Sequence, residues 1–451
     1  MEEAARRTIE TLEGLLKGKA DAWEIFYSLD TGVGVEARDG QVDAMKARTN
    51  SGVGLRTLRG GRQGFGFSSV VGKDALSELA DKTLAGSIEA AADEFLAFPE
   101  SEGGSLSAPS QDLGVFDARW GEGAQEERLR CALEIEKSAR AFDKRINRVR
   151  KASYQESMCY SRVANSSGTD ASASATYYSG SVTAVAEQDG ESQMGWDMGM
   201  GHVREDVRPA EIGKRAAETA VRLLGGRKIK TVKCPAVFEN TVSCELVEAL
   251  ATSLLGDNVL KGKSMLIGKV GRKVASSALN LWDDGLRPRG WATSAVDGEG
   301  VARHTTPLLA EGVLCGYLYD SYWARRAGEK STGNAARSNY KSLPSVGISN
   351  LYIGKGTQTL EGLFAQMSNG LFITELLGVH TINSVTGDYS LGAAGFRVEG
   401  GKIAYPVRGM AVSGNLLETL ARAEGCGDDL RFIGSIGAPS LLINEIEASG
   451  S

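Results

Sequence analysis

Histidine is nearly absent from this chain: three in 451 residues, at positions 202, 304 and 380. No two are close enough in sequence to share a helix face, so they make a metal site only if the fold gathers all three. Proline is scarce as well, with 9 residues against 57 glycines. That balance, with much short alternation, argues for hairpins and close-packed sheets rather than linkers. The six cysteines, at 131, 159, 234, 244, 315 and 426, include no C-x-x-C pair, which excludes a zinc ribbon and a disulfide framework. No apolar run approaches the ~18–20 residues of a membrane span. The opening Met1-Glu2-Glu3 is acidic where a secretory leader is basic. A reducing, cytoplasmic setting is the expectation, with no membrane partner. Net charge is −6, and the nearest thing to a basic run, Lys144 to Lys151, is short and mixed with apolar residues. Nucleic-acid binding through a basic patch is therefore not expected.

What is present points to an α+β, multi-domain chain with antiparallel or mixed sheets flanked by helices. The length calls for two or three cores, and the boundaries predicted are 1–96, 110–226 and 227–451. The first unit reads as a helix from Glu3 to Leu16, strands at Trp23–Ser28 and Val33–Ala37, and a turn at Arg38-Asp39-Gly40-Gln41. A second hairpin follows around Arg59-Gly60-Gly61-Arg62, then a helix from Lys73 to Ala91. The stretch Ala97 to Gly123, rich in Ser, Gly and Pro, marks the boundary. The middle unit reads as a helix to Phe142, short strands at Asn147–Tyr154, Cys159–Ala164, Ser172–Ser179 and Val182–Glu187, and a helix opened by Pro209. The last unit begins with a strand ending at Phe238 and a helix from Val242 to Leu255, and is strand-rich beyond. No fixed-period repeat of the solenoid kind is visible.

Motifs for common chemistries fail on inspection. Gly262-Lys263-Ser264 follows Gly256 with five intervening residues where a phosphate-binding loop needs four, and there is no G-x-S-x-G elbow. Cys244 lies in an apolar helical run and reads as core. Trp282 to Gly285 and Arg287 to Gly290 read as an exposed loop. The densest feature is Thr386-Gly387-Asp388-Tyr389-Ser390-Leu391-Gly392-Ala393-Ala394-Gly395-Phe396, followed by Glu399-Gly400-Gly401-Lys402. Glycines at these spacings let another backbone come close. That backbone is either a bound peptide, with Gly387, Asp388, Tyr389, Gly392, Gly395 and Phe396 lining its cleft, or simply a neighbouring strand.

This block resembles the C-terminal signature of the TldD/PmbA family, the "modulator of DNA gyrase" proteins. So do Asp297-Gly298-Glu299-Gly300-Val301, Glu311-Gly312-Val313-Leu314, Tyr322 to Arg326 and Ser331-Thr332-Gly333-Asn334-Ala335, in the order of the PmbA/TldE branch. Gly52-Val53-Gly54-Leu55-Arg56 and Asn165-Ser166-Ser167-Gly168 are similar upstream. TldD-type members carry H-E-x-x-x-H, whose histidines bind a divalent metal and whose Glu is the expected base. At the matching place this chain has Val247-Glu248-Ala249-Leu250-Ala251-Thr252. The Glu is kept, while Val247 and Thr252 stand at the His positions. No Cys stands at the third-ligand position near Gly434 to Pro439; Cys426 lies a few residues upstream. The resemblance implies a PmbA/TldE-like, metal-free and non-catalytic subunit of a TldD/TldE metalloprotease acting on small unfolded peptides. Zinc or another divalent metal would reside in a TldD-like partner subunit. The alternative is a homodimeric peptide- or small-molecule-binding protein without proteolytic activity. A subunit on its own is expected to pair as a homodimer, because a Gly-rich sheet otherwise leaves strand edges bare.

Overall fold

The computed structural model describes residues 1–100, 113–122 and 125–450, so the expected boundary segment lies partly outside the described residues. Helix α1 (Glu2–Leu16) buries Ile9, Leu12 and Leu16 on one face, as its periodicity predicts. Strands β1 (Ala22–Arg38), β2 (Gln41–Arg59) and β3 (Arg62–Ser68) form an antiparallel meander, followed by α2 (Lys73–Glu89). Both hairpin turns fall where the sequence puts them. Asp39 and Gly40 have φ of 54° and 73°, and Gly60 and Gly61 have 59° and 70°, the paired positive values of a two-residue hairpin loop.

The same order of elements then recurs: α3 (Gln125–Phe142), β4 (Ile146–Asn165), β5 (Asp170–Gln188), β6 (Glu191–Gly201) and α4 (Pro209–Arg222). β1 and β4 pair antiparallel, from Glu24 opposite Asn165 to Ala37 opposite Ala152. One six-stranded sheet results, in the order β3-β2-β1-β4-β5-β6. The two units expected at 1–96 and 110–226 thus each contribute three strands to one shared sheet. β1, β4 and β5, expected as pairs of short strands, are single long ones. Each has a hydrogen-bonded neighbour on both sides, and continuous pairing carries the strand through weak local stretches such as Gly32 to Gly34.

The four helices cover one face of this sheet in two cores. One joins Ile9, Leu12, Ile25, Val53, Leu55 and Leu79; the other joins Val35, Ile135, Ala152, Tyr154, Tyr178 and Ile212. On the opposite face Phe26, Val163 and Ala171 pack against Val296 and Tyr340 from the C-terminal unit. Gly54 permits that approach, since a Cβ there would lie 2.4 Å from the Tyr340 carbonyl oxygen.

β7 (Val232–Phe238) and α5 (Asn240–Leu254) open the C-terminal unit. β7 lies in a ring of five strands, Lys402–Asn415, Asp388–Glu399, Gly370–Leu377, β7 and Leu441–Gly450, which closes because Met410 to Ser413 pair with Glu447 to Gly450. A second sheet of short strands is centred on Leu281–Asp284 and Leu351–Ile353. The predicted exposed loop at Trp282 to Gly285 is largely this strand. Asp283 is buried there, accepting from the Ser349 N–H at 2.7 Å, the Ser349 hydroxyl at 2.6 Å and Asn334 Nδ2 at 2.7 Å. Alternation was hidden because the polar side chain faces inward onto its own donors.

The strand Asp388–Glu399 is paired on both sides. A Cβ at Gly395 would lie 1.9 Å from the Phe372 carbonyl oxygen, whereas one at Gly392 would meet only the Leu377 side chain at 3.3 Å. Gly395→Ala is therefore expected to cost about 2–4 kcal/mol and Gly392→Ala less than about 1 kcal/mol. Urea denaturation of the two variants checks this; equal stabilities would refute it.

Candidate functional site

α5 follows β7 in a strand-to-helix turn and packs within the large C-terminal core. Val242, Cys244, Leu246, Val247, Leu250 and Leu254 are buried, and burial pushes the Cys244 thiol up to about 12. Val247 is 1% exposed, while Glu248 and Thr252 face solvent. Of the two positions, 247 is therefore packed in the core and 252 is open to solvent. The polar stripe of α5 is Glu245, Glu248 and Thr252, and Glu375 on the strand Gly370–Leu377 approaches it. Burial, then the charges of Glu248 and Glu375, raise the Glu245 carboxyl to about 7. Burial also raises Glu375. Glu245 Oε2 and the hydroxyl of Thr374, next to Glu375 in sequence, are each buried without a hydrogen-bond partner. Among the described residues no cation lies within ion-pair distance of these three acids, and no three His, Cys, Asp or Glu side chains are arranged to hold a metal ion. The stripe can hold a proton near neutrality; as placed, its residues do not fit a resident metal.

The histidines are not gathered. His202 is buried with Nδ1 2.7 Å from the Thr176 carbonyl oxygen and Nε2 3.0 Å from that of Gly290, while His304 and His380 are exposed. The glycine-rich block is likewise dispersed. Tyr389 is in the large core with its hydroxyl 2.7 Å from the Thr419 hydroxyl, Phe396 is in a separate core with Phe364 and Phe372, and only Asp388 of the named side chains is exposed. Gly387 borders Asn415, and Gly392 and Gly395 lie inside the paired strand.

What the fold does bring together are the remaining signature segments. Arg56 on β2 is buried, with Nη1 3.2 Å from Glu24 Oε1 and 3.3 Å from Glu299 Oε1. Its Nε and Nη2 donate to Gln63 Oε1 at 3.1 and 3.0 Å. Arg337 pairs with Glu24 from the other side and donates to the Gly298 carbonyl at 2.8 Å. Burial works against the Glu299 carboxylate, yet Arg56 and the Ser321 N–H hold its pKa below the usual value. Asp297 accepts from the N–H groups of Glu299 at 2.8 Å, Val301 at 3.0 Å and Ala335 at 2.9 Å, which closes the turn around Gly298. The sequence presents these residues only as family markers. The charge placed inside a glycine-rich turn, Asp297-Gly298-Glu299-Gly300, is the signal that could have marked them as a site.

Comparison with known proteins follows the same segments. Models for the PmbA/TldA metallopeptidase match at residues 23–91 (domain 1), 124–224 (central domain) and 231–450 (C-terminal domain). The chain belongs to the PmbA/TldD family. It is 28% identical to the Metalloprotease PmbA of Escherichia coli O157:H7 over all of this chain and 96% of that one. It is 31% identical to a Metalloprotease PmbA homolog of Buchnera aphidicola subsp. Baizongia pistaciae over 71% of this chain and 70% of that one. A crystal structure described as a modulator of a DNA gyrase from Thermotoga maritima MSB8 superposes with a TM-score of 0.90 at 26% identity, covering 98% of this chain and 100% of that one. TldE from Thermococcus kodakarensis shares the fold, with a TM-score of 0.88 at 20% identity over 98% of this chain and 100% of that one. In this PmbA/TldD chain no helix among the described residues is long and apolar enough to cross a membrane.

Two outcomes follow. Arg56→Met leaves Glu24 and Glu299 buried without that partner and is expected to cost about 3–5 kcal/mol, read as a lower urea midpoint. An unchanged midpoint would show the network to be dispensable. At Glu245 the folded protein holds a proton that the unfolded chain releases near 4.5, so this group's contribution falls as pH rises from there to about 7. Glu248→Gln removes one of the charges raising that pKa. The fall in stability between pH 5 and pH 7 should therefore be shallower in the variant than in the wild type, measured by denaturation at each pH.

Proposed function

We propose that this chain is the PmbA/TldE-type subunit of a TldD/TldE-type metalloprotease that degrades or matures small unfolded peptides. In this reading a TldD-like partner supplies the divalent metal and the general base. The observation that carries it is the state of α5 at the place of the H-E-x-x-x-H motif. Val247 is turned into the core, Thr252 points to solvent, and Glu248 is left without ligating neighbours among the described residues. A valine side chain has no lone pair to offer a metal, and its burial closes that position to any ligand.

A peptide-handling role draws support from β2. β3 pairs only with residues 53–59, so among the described residues the outer edge of 41–52 has no strand beside it. Its N–H and C=O groups and its exposed side chains form a ready edge for an extended peptide to join by backbone hydrogen bonds. The glycine-rich strand, paired on both sides, has no such edge.

Peptidase assays and metal analysis on the purified chain, on a TldD-type partner and on their mixture test the proposal. The chain alone should neither cleave an unfolded peptide nor retain near-equimolar metal, and the mixture should cleave in a chelator-sensitive way. Chelator-sensitive cleavage by this chain alone would overturn the assignment.

A further inference from the structure

A cavity of about 1070 Å³ lies where the six-stranded sheet meets the C-terminal unit. Its walls include Arg56 and Gln63 from the sheet, the segment 90–96 after α2, Glu299, and residues of the short helix Ser321–Ala327 with its cap Asp320. We propose that this cavity binds the cationic group of a short peptide, with the Asp320 carboxylate as counter-ion. The inference rests on the peptide-handling reading above.

Asp320 is the one acid of the interdomain network left open among the described residues. Glu24 and Glu299 face arginines, and Asp297 accepts from three backbone N–H groups. Asp320 is 2% exposed and caps its helix by accepting from the Trp323 N–H at 2.8 Å through one oxygen. Among the described residues no donor reaches the other oxygen and no cation lies within ion-pair distance, and the residue lines the cavity. A buried carboxylate without a cation is costly, and an incoming ammonium or guanidinium relieves that cost.

The surroundings favour the same chemistry. The lining carries Asp93, Glu94, Glu299 and Asp320 against Arg56 and Arg326, and Arg56 is already engaged by Glu24 and Glu299. Arg325 is engaged as well, donating to the carbonyls of Phe95 and Ala97, each at 2.7 Å. Arg326 lies at the far end of the helix, stacked over Phe95, Tyr322 and Trp323. It makes no ion pair among the described residues and can take a carboxylate. Six helical residues separate it from Asp320 by ~9 Å along the axis, roughly three extended residues rather than one amino acid. Burial, then the charge of Glu299, raise the Asp320 carboxyl to about 6, with Arg56 opposing and Asp257 of the short helix Gly256–Leu260 adding to it.

The test is titration of the isolated full-length chain with trialanine, N-acetyl-trialanine and an N-acetylated tripeptide containing lysine, followed by tryptophan fluorescence and calorimetry. At least one cationic peptide should saturate and N-acetyl-trialanine should not. Saturation by trialanine identifies the terminal ammonium as the source, and saturation by the lysine peptide identifies the side chain. Asp320→Asn keeps a capping oxygen and should weaken binding about tenfold or more without lowering the melting temperature. In the wild type, affinity should fall about tenfold from pH 7 to pH 5 as the carboxylate takes up its proton, a measurement that tests the proposal even should the variant fail to fold. Equal binding of the acetylated and free peptides, an unaltered affinity in Asp320→Asn, or no saturation by either cationic peptide at about 10 mM would overturn the proposal. Neither metal nor partner is involved, so its failure and a failure of the protease reading are seen in separate experiments.

Discussion

Arg56 is buried between Glu24 of its own sheet and Glu299 of the C-terminal unit. Charges taken from water are costly, and they are tolerated because guanidinium, carboxylates, the Gln63 amide and backbone N–H groups satisfy one another. The pairing joins a strand near the start of the chain to a turn some 240 residues later and fixes the angle at which the two units meet. The approach of Tyr340 over Gly54 and the packing of Val296 on Phe26 depend on that joint. So does the cavity beside it, whose open acid Asp320 is held in place by the same turn and helix.

The sheet that carries Glu24 and Arg56 is itself a product of duplication in form: helix, three strands, helix, twice over, joined through β1 and β4. Putting all four helices on one face leaves the other for the C-terminal unit. It also leaves β2 longer than β3, so that among the described residues one edge of the sheet has no strand beside it over a dozen residues. In the C-terminal unit the opposite solution is used. Its five-stranded ring closes on itself where Met410 to Ser413 pair with Glu447 to Gly450. Glycine there serves the closure: Gly395 lets its strand lie against Phe372 without a side chain in the way.

In α5, one face of the helix decides where polarity survives. α5 is packed on most sides, and only the stripe through Glu245, Glu248 and Thr252 keeps its polarity. Glu245 is buried there under the charges of Glu248 and Glu375, with no cation within ion-pair distance among the described residues, and it holds its proton toward neutral pH.

Local rules were enough for much of this. The α+β class, both hairpin turns with their left-handed residues, the amphipathic α1 and the helix carrying Glu248 follow from periodicity and turn chemistry, which act over a few residues. The signature segments were also visible as a family pattern. Tertiary structure alone decided the rest, because the deciding contacts are non-local. Whether Trp23–Ser28 and Val33–Ala37 are two strands or one depends on β2 and β4 pairing with both. Whether Gly392 and Gly395 face a ligand or a neighbouring strand depends on the residues opposite them in the ring. Asp283 reads as a loop residue until Ser349 and Asn334 are folded onto it. Arg56, Glu299 and Asp320 become a site only when two units, each legible by itself, close on a shared ion pair that no stretch of sequence contains.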